Sequence, residues 1–140
     1  ALAFGAEGVV MGTRFMATDE APIHDNVKQW MVQADETNTI VIQRNIGSPS
    51  RVALNEVSKE VDRLEQEGAT IEQLLPLITG QRAKHVYFEG DLDGGIWSCG
   101  QSVGLIKEVL PIKELFQQIT KEANQSLEFI RKSLSSLSNV

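Results

Sequence analysis

Gly5-Ala6-Glu7-Gly8-Val9-Val10-Met11-Gly12-Thr13-Arg14-Phe15 is the stretch that decides how the 140-residue chain is read. It has the form of a tight turn, a short apolar strand over Gly8 to Met11, and a Gly-Thr step into a second turn. A continuous apolar run bounded by glycines suits a strand buried on both faces, as in a parallel sheet. Gly12 has no Cβ to hold a ligand away from the backbone. Thr13 places a hydroxyl beside its own N–H. Successive N–H groups turned outward at such a step form an anion cradle, and phosphate is the common guest. Short glycine-bounded turns are also frequent, so the pattern alone leaves a bare turn open.

Outward from this stretch the chain alternates helical and loop signals. Ala1 to Phe4 read as a helix end with Gly5 as a left-handed cap. Ala21-Pro22 is expected to open a helix to Ala34, with Ile23, Val27, Trp30, Met31 and Ala34 on one face. His24, in its first turn, reads as a solvated or capping histidine. Arg14 either supports a phosphate or pairs with nearby Asp19 or Glu20; the ion pair is the expected role. Thr39 to Arg44 holds one short β-type run. Ser50 is expected to cap a helix through Glu67, ended by Gly68. Thr70-Ile71-Glu72-Gln73 has the form of a capping box, and Pro76 shortens or kinks the helix behind it. Gln81 to Phe88 form a further helical turn before Gly90.

Asp91-Leu92-Asp93-Gly94-Gly95 lacks the later ligands of a calcium loop and reads as a turn. Ile96-Trp97-Ser98-Cys99-Gly100-Gln101 combines a large flat side chain with glycines that allow sharp bends. Cys99 has no cationic neighbour in sequence to activate it. A short helix over Ser102 to Lys107 precedes a long one from Pro111 to Leu137. The long helix carries an apolar stripe of Ile112, Leu115, Phe116, Ile119, Ala123, Leu127, Ile130 and Leu134. Ser133 to Asn139 are expected to fray.

Two blocks, "ALAFGAEGVVMGTRFMATDEAPIH" and "LITGQRAKHVYFEGDLDGGIWSCGQSVGLI", resemble the C-terminal half of the nitronate monooxygenase superfamily, also called the 2-nitropropane dioxygenases. The likeness is greatest to the branch holding NADH:quinone reductases, with enoyl-acyl carrier protein reductase II more distant; Gln101 is nearer the latter pattern. The resemblance runs from Ala1 to about Phe129. It implies a flavoprotein on a TIM barrel, hence an α/β fold with a mostly helical inserted subdomain. Residues 1–20 would hold the last barrel strand and phosphate-binding turn, 21–101 the insert with one short strand, and 102–140 the C-terminal barrel helices. It implies FMN as cofactor, with Val10, Met11, Gly12 and Thr13 at its phosphate. Trp97, Ser98 and Gly100 would line the flavin or substrate pocket, although Trp97 could equally plug the insert against the barrel.

The resemblance further implies small-molecule substrates: a nitronate, a quinone or an enoyl thioester, with NAD(P)H as donor. The superfamily's catalytic histidine would lie upstream, and neither His24 nor His85 matches it. No catalytic residue or metal ligand is therefore assigned here.

Size and charge set the bounds. A whole TIM barrel needs about 250 residues, so this length and the first residue, Ala1, suggest a fragment. A standalone helical interaction domain is the competing reading. The formal charge of −6, without a basic cluster, argues against nucleic acid as partner. No run approaches membrane-span length and no leader peptide is visible. The single cysteine rules out an internal disulfide and agrees with a cytoplasmic location. A barrel strand with two unpaired edges should make the isolated chain associate, rearrange or be marginally stable; a homo-oligomer is one form this could take.

Overall fold

The computed structural model describes residues 1–137. After a 3-10 turn at Leu2–Phe4, Gly5 takes the left-handed conformation expected of it, at φ 88°. The expected strand over Gly8 to Met11 does not form: these residues join no sheet, and Val10 is fully exposed. A strand exists through the ladder bonds of its neighbours, and no other described strand lies alongside this run.

Helix α1 (Thr13–Met16) opens at Gly12. The chain beyond it is stitched to the start of the last helix, α6 (Ile112–Leu137). Thr18 and Leu110 form a parallel bridge, and Asp19 N–H donates to the Leu110 carbonyl at 3.1 Å. Glu20 accepts the Ile112 N–H at 2.8 Å, pairing one of the donors that a helix start leaves unsatisfied. Buried Lys28 donates to the Asp19 carbonyl at 3.1 Å and fastens the next helix to the same segment.

That helix, α2 (Asp25–Gln33), starts later than Ala21-Pro22 suggested. His24 is its cap: Nδ1 accepts from Asn26 N–H at 3.1 Å, while His24 N–H donates to the Tyr87 carbonyl at 2.6 Å. The long-range bond to Tyr87 fixes His24 in an extended conformation, so the helix cannot include Pro22. Val27, Met31 and Ala34 are buried as their spacing requires.

The insert contains a hairpin in place of one strand. Strand β1 (Thr39–Ile42) pairs antiparallel with β2 (Ser50–Ala53), Ile40 opposite Val52. Ser50 therefore begins a strand and caps no helix. The cap of α3 (Glu56–Gln66) is Asn55, whose Oδ1 accepts Ser58 N–H at 2.8 Å while Ser58 Oγ accepts Asn55 N–H at 2.9 Å. Buried Glu65 reaches back from α3 to accept the N–H groups of Gln43 and Asn45 in the hairpin loop, at 2.6 and 3.1 Å. This pairing across the chain outweighs the local Ser50 signal.

Gly68 ends the α3 region at φ 82°, and Gln73 accepts the Thr70 N–H ahead of α4 (Ile71–Ile78). With Pro76 inside it, α4 is short, as expected. Helix α5 (Gly80–Glu89) follows and closes on Gly90 at φ 74°.

The hairpin separates two cores. Ala53 joins Ala17, Val27, Met31, Val86, Trp97, Val103 and Ile106, while Val52 joins Ile42, Val61 and Leu74. Adjacent strand residues face opposite sides, so one strand serves both. Residues 96–100 run beside β2: Ala53 N–H donates to the Trp97 carbonyl and Cys99 N–H to that of Arg51.

A 3-10 turn at Gln101–Leu105 leads to α6. Only the beginning of its expected stripe is covered. Leu115 is buried and Phe116 meets the Phe15 ring at 5.6 Å, but Leu127, Ile130 and Leu134 are exposed. The helix persists to Leu137; Ser138 and Asn139, included in the expected frayed end, lie outside the described residues.

Candidate functional site

At the Gly12 turn the two sequence blocks meet through a hydrogen bond. Gly100 N–H donates to Thr13 Oγ1 at 2.9 Å, across 87 positions of sequence. The bond sits where the Met11-Gly12-Thr13 turn enters α1. Gly12 has φ −100°, and a Cβ built on it would meet no atom within 4 Å. The N–H groups of Thr13 and Arg14 open the helix and have no intrahelical acceptor. Val10, Met11, Gly12 and Thr13 line one side of a cleft of about 480 Å³. Ser102 and Gln118 bring polar groups to the same cleft. Sequence reasoning missed both; the only available signal was the one-helix-turn spacing of Gln118 and Glu122 on α6.

Arg14 lines the same cleft but does not make the expected ion pair. Its guanidinium donates to the carbonyls of Ala17 and Glu108, at 3.1 and 3.2 Å, and no ion pair with Asp19 or Glu20 forms. Burial draws its pKa down, while the nearby carboxylates of Glu108 and Glu122 act the other way. It ties the turn to the segment leading into α6.

Trp97 is 2% exposed and makes edge contacts with Trp30 at 4.8 Å and Tyr87 at 6.3 Å. Most of the indole is therefore core, which favours the plug of the two roles left open. Its N–H is buried without an acceptor among the described residues. An unmet buried donor costs about 1–3 kcal/mol, and edge-to-face ring contacts offset part of that cost. Trp97 and exposed Ser98 nevertheless border a second, smaller hollow of about 230 Å³. Gly100 stands at the junction with Thr13.

The remaining chemically capable side chains are used structurally. His24 caps α2, and exposed His85 lies 3.5 Å from Asp91. Asp93 caps α3 by accepting Glu56 N–H at 2.9 Å, and Asp91 accepts Asp93 N–H. Among the described residues no group of three or more His, Cys, Asp or Glu side chains could hold a metal ion. No described helix is long and apolar enough to cross a membrane.

Cys99 is buried, and burial pushes its thiol pKa up to about 11. A folded-state pKa above the unfolded value means the native state keeps its proton where the unfolded chain loses it. This contribution to stability is intact below the unfolded thiol value, about 8.5, and is lost as pH rises through the folded one. Burial raises Tyr87 in the same sense. Native Cys99 should react with a disulfide reagent at pH 8 at least about tenfold more slowly than in the urea-unfolded chain, following its thiolate fraction. Equal rates would contradict the burial.

The glycine-threonine turn is thus joined to the tryptophan-bearing segment by the Thr13–Gly100 hydrogen bond. The chain belongs to the nitronate monooxygenase family, whose model matches residues 1–122. It is similar to the (3aS,4S,5R,7aS)-5-hydroxy-7a-methyl-1-oxo-octahydro-1H-indene-4-carboxyl-CoA dehydrogenase of Mycobacterium tuberculosis, at 26% identity over 91% of this chain and 46% of that protein. A probable nitronate monooxygenase of Staphylococcus saprophyticus is 29% identical over 89% of this chain and 34% of that one. The solved structure of FabK from Thermotoga maritima superposes with a TM-score of 0.85 at 35% identity, covering 93% of this chain and 41% of FabK. The chain thus spans less than half the length of these relatives. Family and structural neighbour imply a TIM-barrel fold, of which the described residues form a largely helical part and no barrel.

Proposed function

We propose that this chain is the C-terminal segment of an FMN-dependent oxidoreductase on a TIM barrel. Residues 1–20 supply the last barrel strand and the phosphate turn, 21–101 an inserted subdomain, and 102–140 the C-terminal barrel helices. The observation that carries this reading is the turn at Gly12, with open space where a Cβ would stand and unpaired N–H donors beside it. That combination of room and donors fits a phosphate group.

FMN, when bound, supplies the redox chemistry. This chain's residues bind and position. Val10, Met11, Gly12 and Thr13 hold the phosphate end. Thr13 also fixes Gly100, so the same hydroxyl that borders the phosphate turn anchors the segment carrying Trp97 and Ser98 at the substrate side. The proton-transferring histidine lies upstream, and the apolar Gly8 to Met11 run and the open face of α6 are covered by the rest of the barrel. The electron donor is a reduced nicotinamide, and the enzyme works in the cytoplasm.

Among substrates, a thioester has the best support. Two of the similar curated proteins are named for a carboxyl-CoA substrate, and the hollow beside Trp97 and Ser98 has no charged lining. Nitronate oxidation is the second reading, favoured by the relatives named probable nitronate monooxygenase. The complete oxidoreductase should copurify with a flavin that mass spectrometry identifies as FMN. It should oxidise reduced nicotinamide faster with a short enoyl-CoA than with a quinone, and leave nitronates untouched. The 140-residue chain alone should not retain FMN stoichiometrically, because half the cradle is elsewhere. A flavin-free complete enzyme would overturn the assignment; tight one-to-one FMN binding by the isolated chain would overturn the divided cradle.

A further inference from the structure

Helix α6 outruns the body it starts from. Near its beginning Leu115 is buried and the Phe116 ring meets that of Phe15 at 5.6 Å. Every residue from Asn124 to Ser135 is exposed. The family match ends at Glu122, and the helix runs on to Leu137, a further length of roughly 22 Å. In that extension Ala123, Leu127, Ile130 and Leu134 recur at spacings of four, three and four. This is the spacing of a coiled-coil seam. A lone helix of such length is marginal in water and gains its stability by covering an apolar face. The residues bordering the seam are Asn124, Ser126, Arg131 and Ser133, while Lys121, Gln125, Glu128 and Lys132 fall on the opposite side of the helix.

We propose that the same segment of a second copy of the chain covers this seam, running antiparallel. The rest of the barrel covers α6 as far as the family pattern reaches, and the extension lies past it. Leu127 then faces Ile130 of the second copy, and small Ala123 faces the larger Leu134. The pairing is isologous, with its two-fold axis passing between Glu128 and Phe129. Asn124 lies across from Arg131 and Ser126 across from Ser133, so no like charges meet at the borders of the seam. The direction follows from the start of the helix. The stripe exposed beyond Glu122 is the one that Phe116 presents to Phe15. A parallel pair would bring two bodies to one end, both on the side where the partner helix must lie. An antiparallel pair sets them at opposite ends. The formal charge of −6 weighs against an anionic lipid surface as the occupant.

The test is sedimentation equilibrium of the complete oxidoreductase, which should show twice the mass of one chain at micromolar concentration. Leu127→Glu combined with Ile130→Glu sets carboxylates against one another in the pair. It should weaken association by at least about a hundredfold and leave helix content and flavin retention unchanged. Gln125→Glu adds the same charge on the opposite face and should leave the dimer intact. Direction is read by mild oxidation. Leu127→Cys protein mixed with Ile130→Cys protein should cross-link, and Leu127→Cys protein alone should not; the native Cys99 is buried. The proposal is overturned by a monomeric unaltered enzyme, by a dimer that survives the double variant, or by Leu127→Cys protein cross-linking to itself. Loss of helix or flavin in the double variant would assign the seam to the enzyme's own barrel and overturn it too. A monomer that sediments with phosphatidylcholine vesicles would assign the seam to lipid, with the same result. The mass readout needs no flavin, so failure of the FMN assignment leaves this test standing.

Discussion

Gly95→Ala is expected to cost the fold about 3–5 kcal/mol, combining overpacking with the loss of buried hydrogen bonds. A Cβ at Gly95 would lie 2.6 Å from Arg82 Cβ and 2.7 Å from the Arg82 carbonyl carbon. Backbone cannot swing aside as a side-chain tip can, so the Asp91–Gly95 loop must lift from α5. Two of the bonds on that loop come from Asn55, whose Nδ2 donates to the carbonyls of Leu92 and Gly95, at 2.7 and 2.8 Å. Asn55 is buried and caps α3, so moving the loop also loosens the start of that helix. Arg82 Nε donates to the Gly94 carbonyl at 2.7 Å and would be pulled from it. Domains of this size are commonly stable by only about 5–15 kcal/mol, so most of the margin would go. Gly47→Ala is the control. Gly47 also has a positive φ, 74°, but has open space around it, and should cost only about 1–2 kcal/mol from the left-handed backbone. Urea unfolding followed by Trp fluorescence compares the two. Equal losses would mean that loop and α5 are not in the close contact described.

That packing also shows where sequence reasoning stops. Local signals held wherever the partner is local: Gly5, Gly68 and Gly90 adopt the left-handed caps, and the buried positions of α2 follow the helical period. They failed where a distant group decides. Ser50 resembles a helix cap, but its neighbours Val52 and Ala53 face two different cores, and only pairing with β1 can place them so. The start of α2 was displaced because Tyr87, 63 positions on, takes the His24 N–H.

The apolar pattern of Gly8 to Met11 did not produce a strand, because periodicity states which faces are apolar and not whether a neighbour exists to pair with. The stripe along α6 shows the same distinction: its spacing is helical and the helix forms, yet Leu127, Ile130 and Leu134 are exposed. For the site, the residue types at the Gly12 turn were readable and their junction was not. Nothing local in either block links Thr13 to Gly100. The cleft's further polar members, Ser102, Gln118 and Glu122, come from elements whose packing on the turn is a tertiary fact.

Gly12→Val separates what the fold needs from what the proposed cofactor needs. Gly12 sits at φ −100°, a value open to ordinary residues, with nothing within 4 Å of its would-be Cβ. Physical packing of the chain therefore gives no reason for glycine here. Valine is a poorer helix cap than glycine, and in the isolated chain the change should cost no more than about 1 kcal/mol. In the complete oxidoreductase the branched side chain would stand in the space assigned to the FMN phosphate and push it from the N–H groups of Thr13 and Arg14. Hydrogen bonds to a charged group are worth about 1.5–3 kcal/mol each, so losing two should weaken FMN binding by at least about a hundredfold. Flavin fluorescence quenching measures the affinity, and urea unfolding of the isolated chain measures the fold. Undiminished FMN binding would remove the phosphate from this turn. A chain that unfolds on the substitution would make Gly12 a structural glycine and take away the observation on which the cofactor assignment chiefly depends. Only a stable chain together with an enzyme depleted of flavin identifies the missing Cβ as room kept for a ligand.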